Sequence, residues 1–160
     1  YQVEELGYKY CMNDIAAAMG LVQLEKLDRS NALRRRLVDK YHRAFAEIEG
    51  VEPLALKDYG ESACYCMVIR IDERDALGDH LLARNIQSAV HYRPNHLYPV
   101  YASYRPTPLP VTESVWERIL TLPLYPQMGE AEQDRVLDGV RSFVEERRVS
   151  FAAPQFATGG

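Results

Sequence analysis

The densest group of proton-transferring and hydrogen-bonding side chains lies at residues 91–96, where His91, Tyr92, Arg93, Asn95 and His96 fall within the run VHYRPNHLYP. Histidine titrates near neutral pH and can move a proton, bind a metal or orient a ligand; tyrosine and arginine add a ring face and a fixed cationic fork. His91 is expected to end a strand and His96 to lie just past Pro94, so that both rings could reach one pocket. A second reading stands beside it: His91 hydrogen-bonds a backbone carbonyl and His96 orders a proline-rich loop. A two-histidine metal site would need a third ligand that the sequence does not place, so no metal is expected.

The cysteines point less far. Cys64 and Cys66 lie two apart in an apolar run, so a strand there would turn both to the same face. Without a second cysteine pair they read as buried small hydrophobes. Burial would raise a thiol pKa, which counts against a hydrolase using either cysteine with His91. Cys11 precedes a helix start, where a thiolate could be favoured, but no base is identifiable, and it reads as a packing residue. His42 and His80 fall in helical patterns as surface or boundary residues.

The elements that must position these groups follow from periodicity and caps. Residues 7–28, GYKYCMNDIAAAMGLVQLEKLD, form a turn opening into a helix: Asn13-Asp14 offers an N-cap, and Ile15, Met19, Val22 and Leu27 fall near one face. Its alanines and Gly20 leave room for another backbone to come close, within the chain or across a subunit boundary. Leu33, Leu37, Tyr41, Ala44, Phe45 and Ile48 continue at three- and four-residue steps to a stop at Gly50. One bent helix or a helix pair would both fit. A short strand is expected at 51–56, a strand buried on both faces at 63–71, a helix at 74–84 with Leu77, Leu81 and Leu82 inward and Asn85 as its stop, and a strand at 86–92.

Residues 94–110 carry five prolines beside Tyr98, Tyr101 and Tyr104, the composition of a stiff loop that tyrosines hold in place. A loop of that length within a compact domain suggests function. Thr112 is expected to cap a helix through Thr121 with Val115, Trp116, Ile119 and Leu120 as its apolar set, ahead of a brief strand at 122–125. A last helix opens with Glu130 and Glu132, buries Val136, Val140, Phe143 and Val144, and closes on Arg147-Arg148. The domain is expected to span 1–148, with 149–160 a loose tail.

Composition excludes several classes. The 160 residues suffice for one compact domain, and the formal net charge of −4 offers no basic field for a nucleic-acid partner. Arg34-Arg35-Arg36 reads as the solvated face of a helix. No long apolar span calls for a membrane, and three cysteines with no secretory signal fit a reducing, cytoplasmic setting. A start at Tyr1, with no initiator methionine, reads as a piece cut from something longer.

Three segments in order, residues 7–28, the run VHYRPNHLYPVY and the run LPVTESVWERILTLPLYPQM, together resemble the C-terminal portion of the DegT/DnrJ/StrS family of pyridoxal-phosphate-dependent sugar aminotransferases. The resemblance covers about residues 1–147. It implies an α+β fold, the C-terminal small domain of a fold-type-I aminotransferase: a long N-terminal helix or helix pair packed on a small, mostly antiparallel sheet with further helices. It also implies a homodimer, and a large N-terminal domain as partner.

The implied reaction transfers an amino group, from glutamate, to a keto group on a nucleotide-linked sugar, with pyridoxal phosphate as electron sink. The family's Schiff-base lysine lies upstream of the turn matched by Gly7, and none of Lys9, Lys26, Lys40 and Lys57 has a matching context. No catalytic residue is therefore expected here, and the chain alone should be inactive. In the family the turn matched by residues 7–11 reaches the neighbouring subunit's cofactor, where an asparagine commonly approaches the phosphate. Lys9 holds that position here and can supply charge to the phosphate, whereas the frequent arginine two residues later is Cys11. His91, Tyr92 and His96 match the substrate side of the pocket and are expected to orient the sugar. The alternative is a stand-alone binding or assembly module that keeps the small-domain fold without catalysis.

Overall fold

A computed structural model describes residues 5, 7–55, 60–104 and 108–152, with the side chains of 150–152 left aside. Its first element, α1 (Asp14–Phe45), is one continuous helix of 32 residues, roughly 48 Å long at the usual rise per residue. Asn13 starts it: its backbone is extended, and its Oδ1 accepts the Ala16 N–H at 2.8 Å. No proline or glycine interrupts residues 28–30, so the one-helix alternative holds. The helix ends at Phe45 rather than at Gly50, and a turn carries the chain to Gly50, whose φ of +84° suits a residue without Cβ.

Only the last part of α1 enters the core, through Val38, Tyr41 and Phe45. Tyr41 and Phe45 stack at 5.6 Å between centroids, and the Tyr41 hydroxyl donates to the Pro123 carbonyl at 3.0 Å. Burial, with a smaller contribution from Tyr125, pushes the Tyr41 phenol above its ordinary pKa.

The sheet has three antiparallel strands among the described residues, in the order β1 (Glu52–Pro53), β2 (Met67–Arg70), β3 (Ile119–Leu122). Glu52 faces Arg70, and Met67 faces Leu122. The Arg70 guanidinium donates to the Glu52 carboxylate across the first pair and holds its pKa below the usual range. Pro53 lies on the edge strand, where a missing N–H is tolerated. Helix α2 (Arg74–Ala83) packs on β3 and on α4 (Glu130–Ala152), and α4 also meets α1. This is the α+β architecture that the resemblance implies.

Several local expectations need correction. The apolar run 63–71 contributes only Met67–Arg70 to the sheet, and Met67 and Ile69 are buried while Val68 and Arg70 are partly exposed. Cys64 has φ +47°, which breaks the two-residue alternation: Cys64 is buried, whereas Cys66 is exposed. Residues 86–92 form no strand; only Ala89 pairs, in an antiparallel bridge to Thr121. On α2 Leu77 and Leu81, four apart, take the core, and Leu82, one step round the helix, is 62% exposed. Asn85 stops that helix as expected, in the left-handed region at φ +57°.

Helix α3 (Pro110–Arg118) begins with proline in its first turn after Leu109, so Thr112 lies inside it and does not cap it. Ile119 and Leu120 belong to β3, which is buried throughout and ends before Pro123, displacing the strand expected at 122–125. Tyr104 and Tyr101 are exposed; the described part of the proline-rich loop contains two short 3-10 helices, Asn95–Leu97 and Pro99–Tyr104. Helix α4 buries Val136, Val140 and Phe143 as expected, together with Leu137 and Gln133, and continues to Ala152. A Cβ on its Gly139 would stand 2.8 Å from Leu81 Cδ2, so glycine lets α2 lie against α4 there. No helix among the described residues is long and apolar enough to cross a membrane.

Candidate functional site

The segment carrying the histidines leaves the sheet directly after the Ala89–Thr121 bridge. His91 Nδ1 lies 3.0 Å from Thr121 Oγ1, so β3 holds its ring, and the Tyr92 ring meets it edge-on at 4.8 Å between centroids. Tyr92 itself is 74% exposed. Arg93 donates to the Leu97 carbonyl at 3.2 Å, and its guanidinium lies over Tyr98 at 5.5 Å and over Trp116 at 5.8 Å. Each such cation–ring contact contributes about 0.5–1 kcal/mol near a surface. His96 Nε2 lies 2.9 Å from Glu113 Oε1, in the first turn of α3.

Helix α3 is in turn fixed from behind. Arg74, at the start of α2, donates to the Trp116 and Ile119 carbonyls at 3.0 and 3.3 Å and lies over the Trp116 ring at 5.9 Å. Its Nε lies 2.5 Å from Asp75 Oδ1, which balances the charge. One buried cation therefore serves the end of α3, where main-chain carbonyls have no helical donor.

The structure brings His91 and Tyr92 together and turns His96 toward α3. A cleft of about 850 Å³ is lined by Arg74, Asp79, Gln87, His91 and Thr121 among others, and neither Tyr92 nor His96 lines it, so the two histidines do not share that pocket. Lys9 is exposed on the run before α1, and no hydrogen bond, ion pair or ring contact among the described residues joins it to the histidine segment. No cluster of three metal-ligating side chains occurs among the described residues. Cys64 and Cys66 line a separate cleft with His42 and Ser62, away from the Thr121-bound His91.

Thr121, Glu113, Trp116 and Arg74 were not visible as site residues in the sequence. One signal pointed toward them: Glu113 and Trp116, three apart on a helix, must share a face, and Trp116 is the sequence's single tryptophan.

Known proteins match most of this chain. Spore coat polysaccharide biosynthesis protein SpsC of Bacillus subtilis (strain 168) is 34% identical over 158 residues, covering 91% of this chain and 40% of SpsC. The sugar aminotransferase CalS13 from Micromonospora echinospora superposes with a TM-score of 0.80 at 29% identity, over 85% of this chain and 37% of CalS13. Spr1654 from Streptococcus pneumoniae, in its PLP form, superposes with a TM-score of 0.76 at 28% identity, over 84% of this chain and 36% of Spr1654. The chain thus spans about 40% of the length of the relatives it matches. The sequence profile of the DegT/DnrJ/EryC1/StrS aminotransferase family matches residues 1–141, and the chain belongs to that family.

Proposed function

We propose that this chain is the small-domain part of an enzyme that transfers an amino group, from glutamate, to a keto group on a nucleotide-linked sugar. The observation that carries the reading is the family match over residues 1–141 combined with a span of 40% of SpsC. The rest of such an enzyme, a large domain bearing the Schiff-base lysine, is the chain's main partner. The assembly is a homodimer in the cytoplasm, and the domain proper is residues 1–148.

The described lysines fit covalent attachment of pyridoxal phosphate poorly. Lys9 and Lys26 are exposed, and Lys40 Nζ is paired with Asp134 at 2.6 Å. Lys57 lies outside the described residues. The cofactor, when bound, supplies the electron sink for amino transfer, and in this reading the large domain holds it.

This chain's own groups bind and orient. Lys9 offers a flexible point charge to the cofactor phosphate of the neighbouring subunit. With Nδ1 engaged by Thr121, His91 has Nε2 left for the sugar; with Nε2 engaged by Glu113, His96 has Nδ1 left. Tyr92 adds an exposed ring and hydroxyl. None of the three is assigned a proton-transfer step.

The test is an assay of the complete protein with glutamate and a set of nucleotide-linked keto sugars, beside this chain alone with added pyridoxal phosphate. Formation of 2-oxoglutarate and an amino sugar by the complete protein alone is the expected outcome. A stable, borohydride-reducible absorbance band on this chain after addition of pyridoxal phosphate would overturn the lysine assignment.

A further inference from the structure

We propose that Trp116 and Glu113 are positioning residues: one face of α3 clasps the segment from His91 to Tyr98 and sets the geometry with which it meets the sugar. The inference rests on the functional reading above and extends it to residues that do not themselves touch substrate.

Three ties run from this segment to α3 and β3. His91 is held by Thr121 at 3.0 Å, the Arg93 guanidinium lies 5.8 Å from the Trp116 ring centroid, and His96 is held by Glu113 at 2.9 Å. Glu113 and Trp116 sit three apart on one helical face, so their two ties act in parallel on the segment. Glu113 also accepts the Leu109 N–H at 3.4 Å, linking His96 to the helix start.

The clasp has a rigid back. Arg74 is buried, bonds the Trp116 and Ile119 carbonyls and lies over the same ring, so Trp116 stands fixed between α2 and the loop. On the loop side, Arg93 also covers Tyr98 and caps the Leu97 carbonyl. A chain of contacts therefore runs from Arg74 through Trp116 and Arg93 to Tyr98, with His91, Tyr92 and His96 on the segment it secures. The residues meeting substrate are on a loop, and binding groups on loops need such support to hold their geometry.

The experiment uses the complete protein, comparing wild type with Trp116→Leu, Arg93→Met, the double variant and Trp116→Phe. Loosening the segment should raise KM for the keto sugar about tenfold in each single variant, while kcat and KM for glutamate stay within about twofold. Because the two side chains share the Arg93–Trp116 contact, the loss in the double variant should fall short of the product of the two single losses. Trp116→Phe, which keeps a ring face, should recover most of the loss. Hydrogen exchange should quicken in residues 91–104 and nowhere else in the chain.

An unchanged KM for the keto sugar, a fall in kcat alone, multiplied effects in the double variant, or faster exchange throughout the chain would each overturn the proposal. Arg93→Met changes a loop side chain, so it keeps the test decisive if Trp116→Leu does not fold. A wild-type protein that aminates no keto sugar overturns the functional reading, and exchange over 91–104 in the same variants still decides the clasp.

Discussion

Lys9 sits on an irregular, exposed run leading into α1, between Tyr8 and Tyr10, whose rings lie 6.0 Å apart. A lysine in such a place costs little to keep and little to remove unless an anion comes to it. In the complete protein, Lys9→Ala should weaken pyridoxal phosphate binding about tenfold, the loss of one charge-assisted contact, with thermal stability of the cofactor-free protein unchanged. Cofactor titration followed by absorbance reads this directly; an unchanged affinity and turnover would reduce the run to scaffold. At this scale the sequence shows the candidate groups by their type but hides what holds them. His91 and His96 stand out by type, whereas their partners Thr121 and Glu113 lie 30 and 17 residues further on. A hydroxyl or carboxylate at such separation has no local spacing that ties it to a histidine, and only the fold supplies the pairing.

Among elements, the junction of α1 with the connection between β3 and α4 depends on one hydroxyl. Tyr41 is fully buried, and its Oη donates to Pro123 O while touching Met128 Sδ at 3.9 Å. Tyr41→Phe preserves the stacked ring and removes the donor, so it should cost about 1 kcal/mol in unfolding free energy. Urea unfolding followed by circular dichroism measures it; a neutral result would mean that water replaces the bond.

The start of α4 carries a pH-dependent contribution. The Gly129 N–H donates to Glu132 Oε2 at 2.7 Å and Tyr125 donates to the same carboxylate, and these bonds hold its pKa below the ordinary value. A depressed carboxyl pKa stabilises the fold above the unfolded-state value, and the gain is lost as pH falls through the folded one. Glu132→Gln should therefore lower the melting temperature at pH 7 and match wild type once the carboxylate is protonated. A gap that persists unchanged into acid would show that charge is not the cause.

Helices were legible where caps and periodicity agree, as at Asn13 and along Val136, Val140 and Phe143. Strands were legible only in part, at Glu52–Pro53 and Met67–Arg70 within the ranges expected, because an apolar run reports burial without reporting pairing. Residues 63–66 and 86–92 looked like strands, yet the left-handed Cys64 interrupts the first and the second pairs only at Ala89. Ile119 and Leu120 fit a helical face and were taken by the sheet, where β2 offers both hydrogen bonds and burial.

At the scale of the whole molecule, the long helix divides into a buried and an exposed part. Its C-terminal part belongs to the core, while Ile15, Met19 and Val22 are 75%, 63% and 46% exposed along one stripe of its N-terminal part. Continuous apolar surface of this kind marks a contact, and in the proposed enzyme the large domain and the second subunit are there to make it. Gly20 makes the idea testable with one added methyl group and no change of charge. A Cβ at Gly20 meets nothing within 4 Å in this chain, so if the surface stays open, Gly20→Ala should stabilise the helix by about 1 kcal/mol through propensity alone. If another backbone packs there in the complete protein, the added methyl collides with it. The expected result is a lower melting temperature and weaker association for Gly20→Ala, read by scanning calorimetry and sedimentation on the complete protein. Met19→Glu, which would desolvate a charge in the same contact, should weaken association further. A rise in melting temperature for Gly20→Ala with unaltered association would place the contact elsewhere and leave this stretch of α1 facing solvent.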